Sequence, residues 1–136
     1  MPSTLRIAAA LLIGSDGQTL LVRKRGTQAF MQPGGKIDAG EQPAEALARE
    51  LFEELNLRIE PREAVYLGYF SAPAANEPGF TVEAELFQVN IDVAVSPAAE
   101  IEEVRWIDPA GDGGLHLAPL TRDVILPFYR ASLAVC

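Results

Sequence analysis

Apolar residues run unbroken from Ile7 to Ile13 and then recur in shorter periodic stretches along the chain. A run of that length, stopped by Ser15-Asp16-Gly17, predicts a buried strand over Leu5–Ile13. Asp16-Gly17 is a two-residue hairpin signal. The return strand, Thr19–Arg25, alternates Leu21, Arg23 and Arg25 against Leu20, Val22 and Lys24. Gly26–Pro33 reads as a loop, Lys36–Asp38 as a short strand, and Ala39-Gly40 as the turn into a helix. In that helix Pro43 suits the first position, where a missing N–H costs nothing. Leu47, Leu51 and Leu55 recur every four residues as one apolar stripe.

Beyond the helix the period returns to two. Strands are predicted over Ala64–Phe70 and Phe80–Ile91, separated by a mobile loop, Ser71–Gly79, rich in alanine and proline. The run to Pro97 crosses a sheet edge, and Val104–Ile107 forms a last strand with Trp106 in the core. Gly111–Gly114 is a flexible loop, and Leu120–Leu133 a closing helix. His116 stands alone and reads as a surface or pocket residue rather than a metal ligand. Strands around one central helix, with a second helix at the end, predict an α/β layered fold. No repeat or linker interrupts it, so residues 1–136 form one domain.

The polar side of the central helix carries the chemistry. Glu50, Glu53 and Glu54 fall at i, i+3 and i+4 and crowd their carboxylates onto one face. Arg49 reaches Glu45 and Glu53 at i±4, but one guanidinium does not neutralise three carboxylates. A hard divalent cation does, since Mg²⁺ and Mn²⁺ favour carboxylate and phosphate oxygens. In isolation the same pattern would be a solvated acidic face.

The surroundings are more specific. From Gly35 the chain reads Gly, five residues, Glu41, seven residues, Arg49-Glu50-Leu51, one residue, Glu53-Glu54, one residue, Asn56-Leu57. This resembles the Nudix box, G-x5-E-x7-R-E-U-x-E-E-x-G-U with U aliphatic, of the Nudix hydrolase family. One defining position departs: the penultimate glycine is Asn56, the usual second choice where a helix ends in a left-handed turn. The resemblance implies a mixed β-sheet sandwiched between α-helices and hydrolysis of a nucleoside diphosphate linked to another moiety X. It implies that Glu50, Glu53 and Glu54 ligate Mg²⁺ (or Mn²⁺) with the Gly34 carbonyl. Either Glu50 or a downstream Glu is then the base, and Arg49 and Glu41 hold the carboxylates in place. The downstream candidate is Glu100, base or additional ligand, with Glu102 or Glu103 as substitutes.

The same resemblance makes Arg23, Lys24 and Arg25 candidates for substrate phosphates, against the alternative of a charge-protected strand edge. Phe30 is a candidate for stacking on a base, with core packing the simpler role.

Composition narrows the partners. A net charge of −8 argues against a nucleic-acid polymer, which favours a basic surface. No apolar run approaches the roughly 18 residues that span a membrane. The single cysteine, Cys136, leaves no internal disulfide and fits a reducing cytoplasm. The expected partner is a small nucleotide, and a homodimer is compatible with the family. Leu20-Leu21-Val22-Arg23-Lys24 and the Pro-Gly-Gly-Lys-Ile segment look like the MutT branch, which cleaves (8-oxo-)dGTP. Pro73, sixteen residues after Leu57, stands near where ADP-ribose-cleaving members carry a proline. A non-catalytic sensor of the fold usually loses box carboxylates, and none is lost here. An isopentenyl-diphosphate isomerase uses a pocket cysteine, and only the terminal one is available.

Overall fold

A computed structural model describes residues 3–134 of the chain; Cys136 lies outside them. Seven strands form one mixed sheet: β1 (Thr4–Ile13), β2 (Thr19–Lys24), β3 (Phe30–Met31), β4 (Gly34–Lys36), β5 (Val65–Pro73), β6 (Thr81–Asn90) and β7 (Ile101–Ile107). The order β3-β2-β1-β6-β5 forms its spine, with β4 paired to β1 and β7 to β2. β1 and β6 run parallel from Thr4↔Thr81 to Ile13↔Asn90, and the other pairings are antiparallel.

The apolar run in β1 is explained by cover on both faces. Ala8, Ala10 and Leu12 pack with Leu47, Leu51 and Leu55 of helix α1 (Pro43–Leu55). Ala9 and Leu11 pack on the opposite face with Leu120, Ile125 and Tyr129. Leu120 precedes and Ile125 ends a π-helical turn (Thr121–Ile125), which leads directly into helix α2 (Leu126–Ala134), where Tyr129 lies. The sheet is therefore held between helices. Among the described residues, no helix is long and apolar enough to cross a membrane.

Several elements depart from the sequence expectation. The first hairpin closes through Gly14 and Gln18 around Ser15-Asp16-Gly17, with Gly17 at φ 84°: a three-residue turn, not a two-residue one. The expected loop 26–33 contains β3, because Val22 and Arg23 pair with Met31 and Phe30. The short strand after Pro33 starts at Gly34 and ends at Lys36. β5 extends to Pro73, which pairs with Thr81 and shortens the following loop. β7 begins at Ile101 and so takes in Glu102 and Glu103. Trp106 is 38% exposed and lies against Gly14, so it is not a core residue. β2 is not an edge: β3 flanks it on one side and β7 on the other.

Candidate active site

Helix α1 is fixed at both ends by its sequence. The Gln42 amide donates to the Glu45 carboxylate at 2.8 Å, and Pro43 takes the first helical position. At the other end Asn56 adopts φ 54°, ψ 29°, and its N–H donates to the Phe52 carbonyl. With the leucine stripe buried against β1, the helix can present its glutamates in only one rotational setting.

That setting separates the three carboxylates. Glu54 is 3% exposed, and its Oε1 accepts the Gly34 N–H at 3.1 Å. Burial pushes its carboxyl up to about 8; the nearby Glu50 and Glu100 charges add to this, while the Gly34 N–H and Lys24 oppose it. Glu50 is mostly buried and lies directly over Gly35, where any Cβ would overlap its carboxyl. Its pKa is also raised by burial, against the pull of Arg49. Glu53 is half exposed and turns to Arg49 at 3.2 Å. With Glu50 and Glu53 both drawn to Arg49, no three His, Cys, Asp or Glu side chains among the described residues converge on one point.

Arg49 is the hub of the acidic face. Its Nε and Nη2 donate to the two oxygens of Glu41 at 2.8 and 2.9 Å, a paired fork. Its Nη1 donates to Glu50 at 2.9 Å, and Nη2 also donates to the Lys36 carbonyl at 3.0 Å. The Arg49 hydrogen bonds, with the Asp38 N–H, hold Glu41 down at about 2. Glu41 and Arg49 thus lock the β4–α1 turn to the helix and aim Glu50.

The basic triplet at the end of β2, Arg23, Lys24 and the following Arg25, meets the acidic residues around the start of β7. Lys24 lies 3.6 Å from Glu100, Arg25 3.1 Å from Glu102, and Arg23 3.2 Å from Glu103. Glu103 also binds Arg105 at 2.7 Å, and Arg23 donates to the Thr27 carbonyl at 2.9 Å. Of the three cations only Lys24 lines the cleft beside Glu54. Glu100 reaches that cleft through Lys24, while Glu102 and Glu103 are committed to the strand pair. Phe30 is 5% exposed and packs with Leu21, Ile107 and Leu117. It is a core residue, with the Arg23 guanidinium 5.9 Å from its ring centre. His116 is exposed, and its carbonyl accepts the Phe30 N–H.

The cleft is bounded by Lys24, Gly34, Gly35 and Glu54 at one end and by the loop Ala74–Glu77 at the other. It adjoins an apolar recess beneath β1, walled by Ile7, Ala9, Val82 and Leu120 and floored by Gln32 and Thr121. Pro73 lines the same recess. Gln32 and Thr121 escape a sequence reading because they lie 89 residues apart; the one signal is a polar residue following the apolar Ala29-Phe30-Met31. A hard cation fits the polar end. The available donors are carboxylate and carbonyl oxygens, and the pull of Lys24 does not bring the buried Glu54 carboxyl back to the ordinary carboxylate range.

This fold, with a mixed sheet between helices and the glutamate-bearing helix laid against the paired glycines of β4, defines the class. A model of the NUDIX domain matches residues 3–112, and the chain belongs to the Nudix hydrolase family, with a MutT-like architecture. Among solved structures, the MutT protein from Methanosarcina mazei Go1 superposes with a TM-score of 0.80 at 19% identity, covering 98% of this chain and 97% of that one. The MutT NUDIX hydrolase from Burkholderia pseudomallei gives 0.73 at 23% identity, over 88% of this chain and 94% of that one. Among curated relatives, an 8-oxo-dGTP diphosphatase of Haemophilus influenzae is 42% identical over 57 residues, 39% of this chain and 42% of the relative. An octanoyltransferase of Myxococcus xanthus is 37% identical over 109 residues, 77% of this chain but only 30% of that protein. The chain thus spans from about a third to under two thirds of the first curated relatives it matches.

Proposed function

We propose that this chain is a Mg²⁺- or Mn²⁺-dependent pyrophosphohydrolase acting on a nucleoside diphosphate linked to X, with an oxidised nucleoside triphosphate such as 8-oxo-dGTP the favoured substrate. The observation that carries the reading is Glu54. A carboxylate 3% exposed, beside Glu50 and open to a cleft holding Lys24, is costly unless a cation and an anionic ligand share the site. The 8-oxo-dGTP diphosphatase relatives favour the substrate. The cytoplasm, where nucleotides are abundant, is the proposed compartment.

Glu50 and Glu54, with the Gly34 carbonyl, hold the cation in this reading, and Glu53 and Glu100 complete its surroundings. When bound, such a cation neutralises pyrophosphate charge and lowers the pKa of a bound water. The protein's own groups do the rest. Arg49 keeps the Glu50 carboxylate aimed at the cleft. The Lys24 ammonium, paired with Glu100 in the free protein, turns to the incoming phosphates. Glu100, released from Lys24, accepts the proton of the attacking water on a carboxylate oxygen. Arg23 and Arg25 remain in their strand ion pairs and do not touch the substrate.

Pro73 favours a second reading, an ADP-ribose or nucleotide-sugar pyrophosphatase, since it lines the recess where the base would sit. One assay separates them: 8-oxo-dGTP, dGTP, ADP-ribose, a nucleotide sugar and a 5′-triphosphorylated RNA, each with Mg²⁺ or Mn²⁺, followed by phosphate release with and without pyrophosphatase. Pyrophosphate from 8-oxo-dGTP is the expected result, and the acidic surface disfavours the RNA. Turnover of ADP-ribose alone supports the second reading. Hydrolysis of none of them sinks both.

A further inference from the structure

One backbone conformation in the segment before β7 is at odds with its residue type. Among the described residues only Asn56 and Ala99 are non-glycine residues with positive φ, at 54° and 53°. Asn56 ends helix α1, where asparagine is well tolerated. Alanine has no polar group to offset the clash of its Cβ with the backbone, and the other described positive-φ positions are all glycine. Ala99 is exposed, so burial of its methyl group does not hold it there. Backbone hydrogen bonds do. The Ser96 and Ala98 amides donate to the Leu55 and Glu54 carbonyls at 3.0 and 2.8 Å, satisfying the end of helix α1. The Ile101 amide donates to the Ala98 carbonyl at 3.0 Å and closes a four-residue turn. The Arg25 amide then donates to the Glu100 carbonyl at 2.7 Å, tying the turn to the end of β2.

We infer that Ala99 is a positioning residue for the reaction: its left-handed conformation turns the chain so that Glu100 faces Lys24 beside the Glu54 end of helix α1. The inference rests on the reading that Glu100 takes the proton of the attacking water. The Glu100 side chain is 65% exposed, so packing does not fix it and its aim comes from the backbone. Positive φ at Ala99 but not at Glu100 is the pattern of a type II′ turn. A type I turn would keep the Ala98–Ile101 hydrogen bond with negative φ at both central residues, and would send Glu100 elsewhere. The bonds to helix α1 and β2 over-determine the strained setting and exclude the relaxed one. The β2–β7 ladder shifts at the same point, with Arg23 opposite Glu103 but Lys24 opposite Ile101. That shift sets Glu100 alongside Lys24, at 3.6 Å.

The test pairs steady-state rates with melting curves, using the nucleotide that the wild type turns over fastest. Ala99→Pro suits the first central position of a type I turn, so it should keep the fold while lowering kcat by about tenfold or more, with KM within about twofold of wild type. Ala99→Asn holds a left-handed φ readily and should restore wild-type kcat. If Ala99→Pro does not fold, Ala99→Val takes its place, since a β-branched residue is an outlier at positive φ. Adding Glu100→Gln to the proline variant should cost no further turnover, because both changes remove the same group from its place. A merely structural turn would lower the melting temperature, leave kcat alone and act independently of Glu100. Wild-type kcat in folded Ala99→Pro, equal losses in Ala99→Asn and Ala99→Pro, or additive losses with Glu100→Gln overturns this inference and leaves Glu100 as the base. Wild-type kcat in Glu100→Gln, or no hydrolysis of any nucleotide, refutes the reading of Glu100 itself, and this inference falls with it.

Discussion

The Gly34 amide donates to the Glu54 carboxylate at 3.1 Å, tying strand β4 to the central helix across twenty residues of sequence. The neighbouring residue repeats the arrangement by contact instead of hydrogen bonding: Gly35 lies under the Glu50 carboxyl. Two adjacent glycines therefore serve two different glutamates, and their alanine variants should fail in different ways.

At Gly35 the atoms nearest a Cβ are those of the Glu50 carboxyl, the far end of a side chain that can swing aside. Gly35→Ala should keep a near-native melting temperature and lose most turnover. At Gly34, with φ 144°, a Cβ strikes the Ala8 carbonyl oxygen on β1, which cannot move without breaking the sheet. Gly34→Ala should lower the melting temperature by many degrees. Paired melts and initial rates check both, and full activity in folded Gly35→Ala would show that Glu50 is not needed where it stands.

Burial raises the Glu54 carboxyl from 4.5 to about 8 in the folded chain. Between those values the native state holds a proton that the unfolded chain has released, so this group's contribution to stability falls as pH rises through the window. One pKa unit is about 1.4 kcal/mol, so the effect amounts to a few kcal/mol at most. In chelator, Glu54→Gln should therefore match wild type near pH 4.5 and melt progressively higher than it towards pH 8. Millimolar Mg²⁺ or Mn²⁺ should raise the wild-type melting temperature and leave the variant unmoved, by mass action on the native state alone. A variant that keeps both the metal shift and hydrolysis would remove Glu54 from the site.

Glu100 is 65% exposed and its carboxylate pairs with Lys24, whereas Glu102 and Glu103 are paired to Arg25 and Arg23. Glu100→Gln should lower kcat by about tenfold or more at an unchanged melting temperature. Glu102→Gln should do little, and Glu103→Gln should cost stability first, because it strands Arg23 and Arg105 together. Steady-state rates for the three variants decide it; equal, small effects would return the base to helix α1.

Asn56 ends helix α1 in the left-handed region at φ 54°. Asn56→Gly should alter stability by under about 1 kcal/mol with activity intact. Asn56→Ala should cost roughly 1 kcal/mol, because a Cβ without a compensating polar group is strained there. Denaturant melts measure both, and a large loss of turnover in folded Asn56→Gly would reveal a substrate contact at this position.

The sequence by itself determined the helix and its ends. Pro43, the leucine stripe and Asn56 act over one to four residues, and local sterics and periodicity are written at that range. It also determined that β1 is buried on both faces, since an unbroken apolar run tolerates no wet side. Tertiary structure alone decided how the three glutamates differ. Their spacing made them equivalent, but the sheet buries Glu54 and leaves Glu53 half exposed. It also matched Arg23, Lys24 and Arg25 to acids 76 to 80 residues away, leaving only Lys24 of the three at the cleft. The Gln32–Thr121 contact is of the same kind. Such pairings follow from strand register and helix docking, which bring distant residues together without leaving any period in the chain.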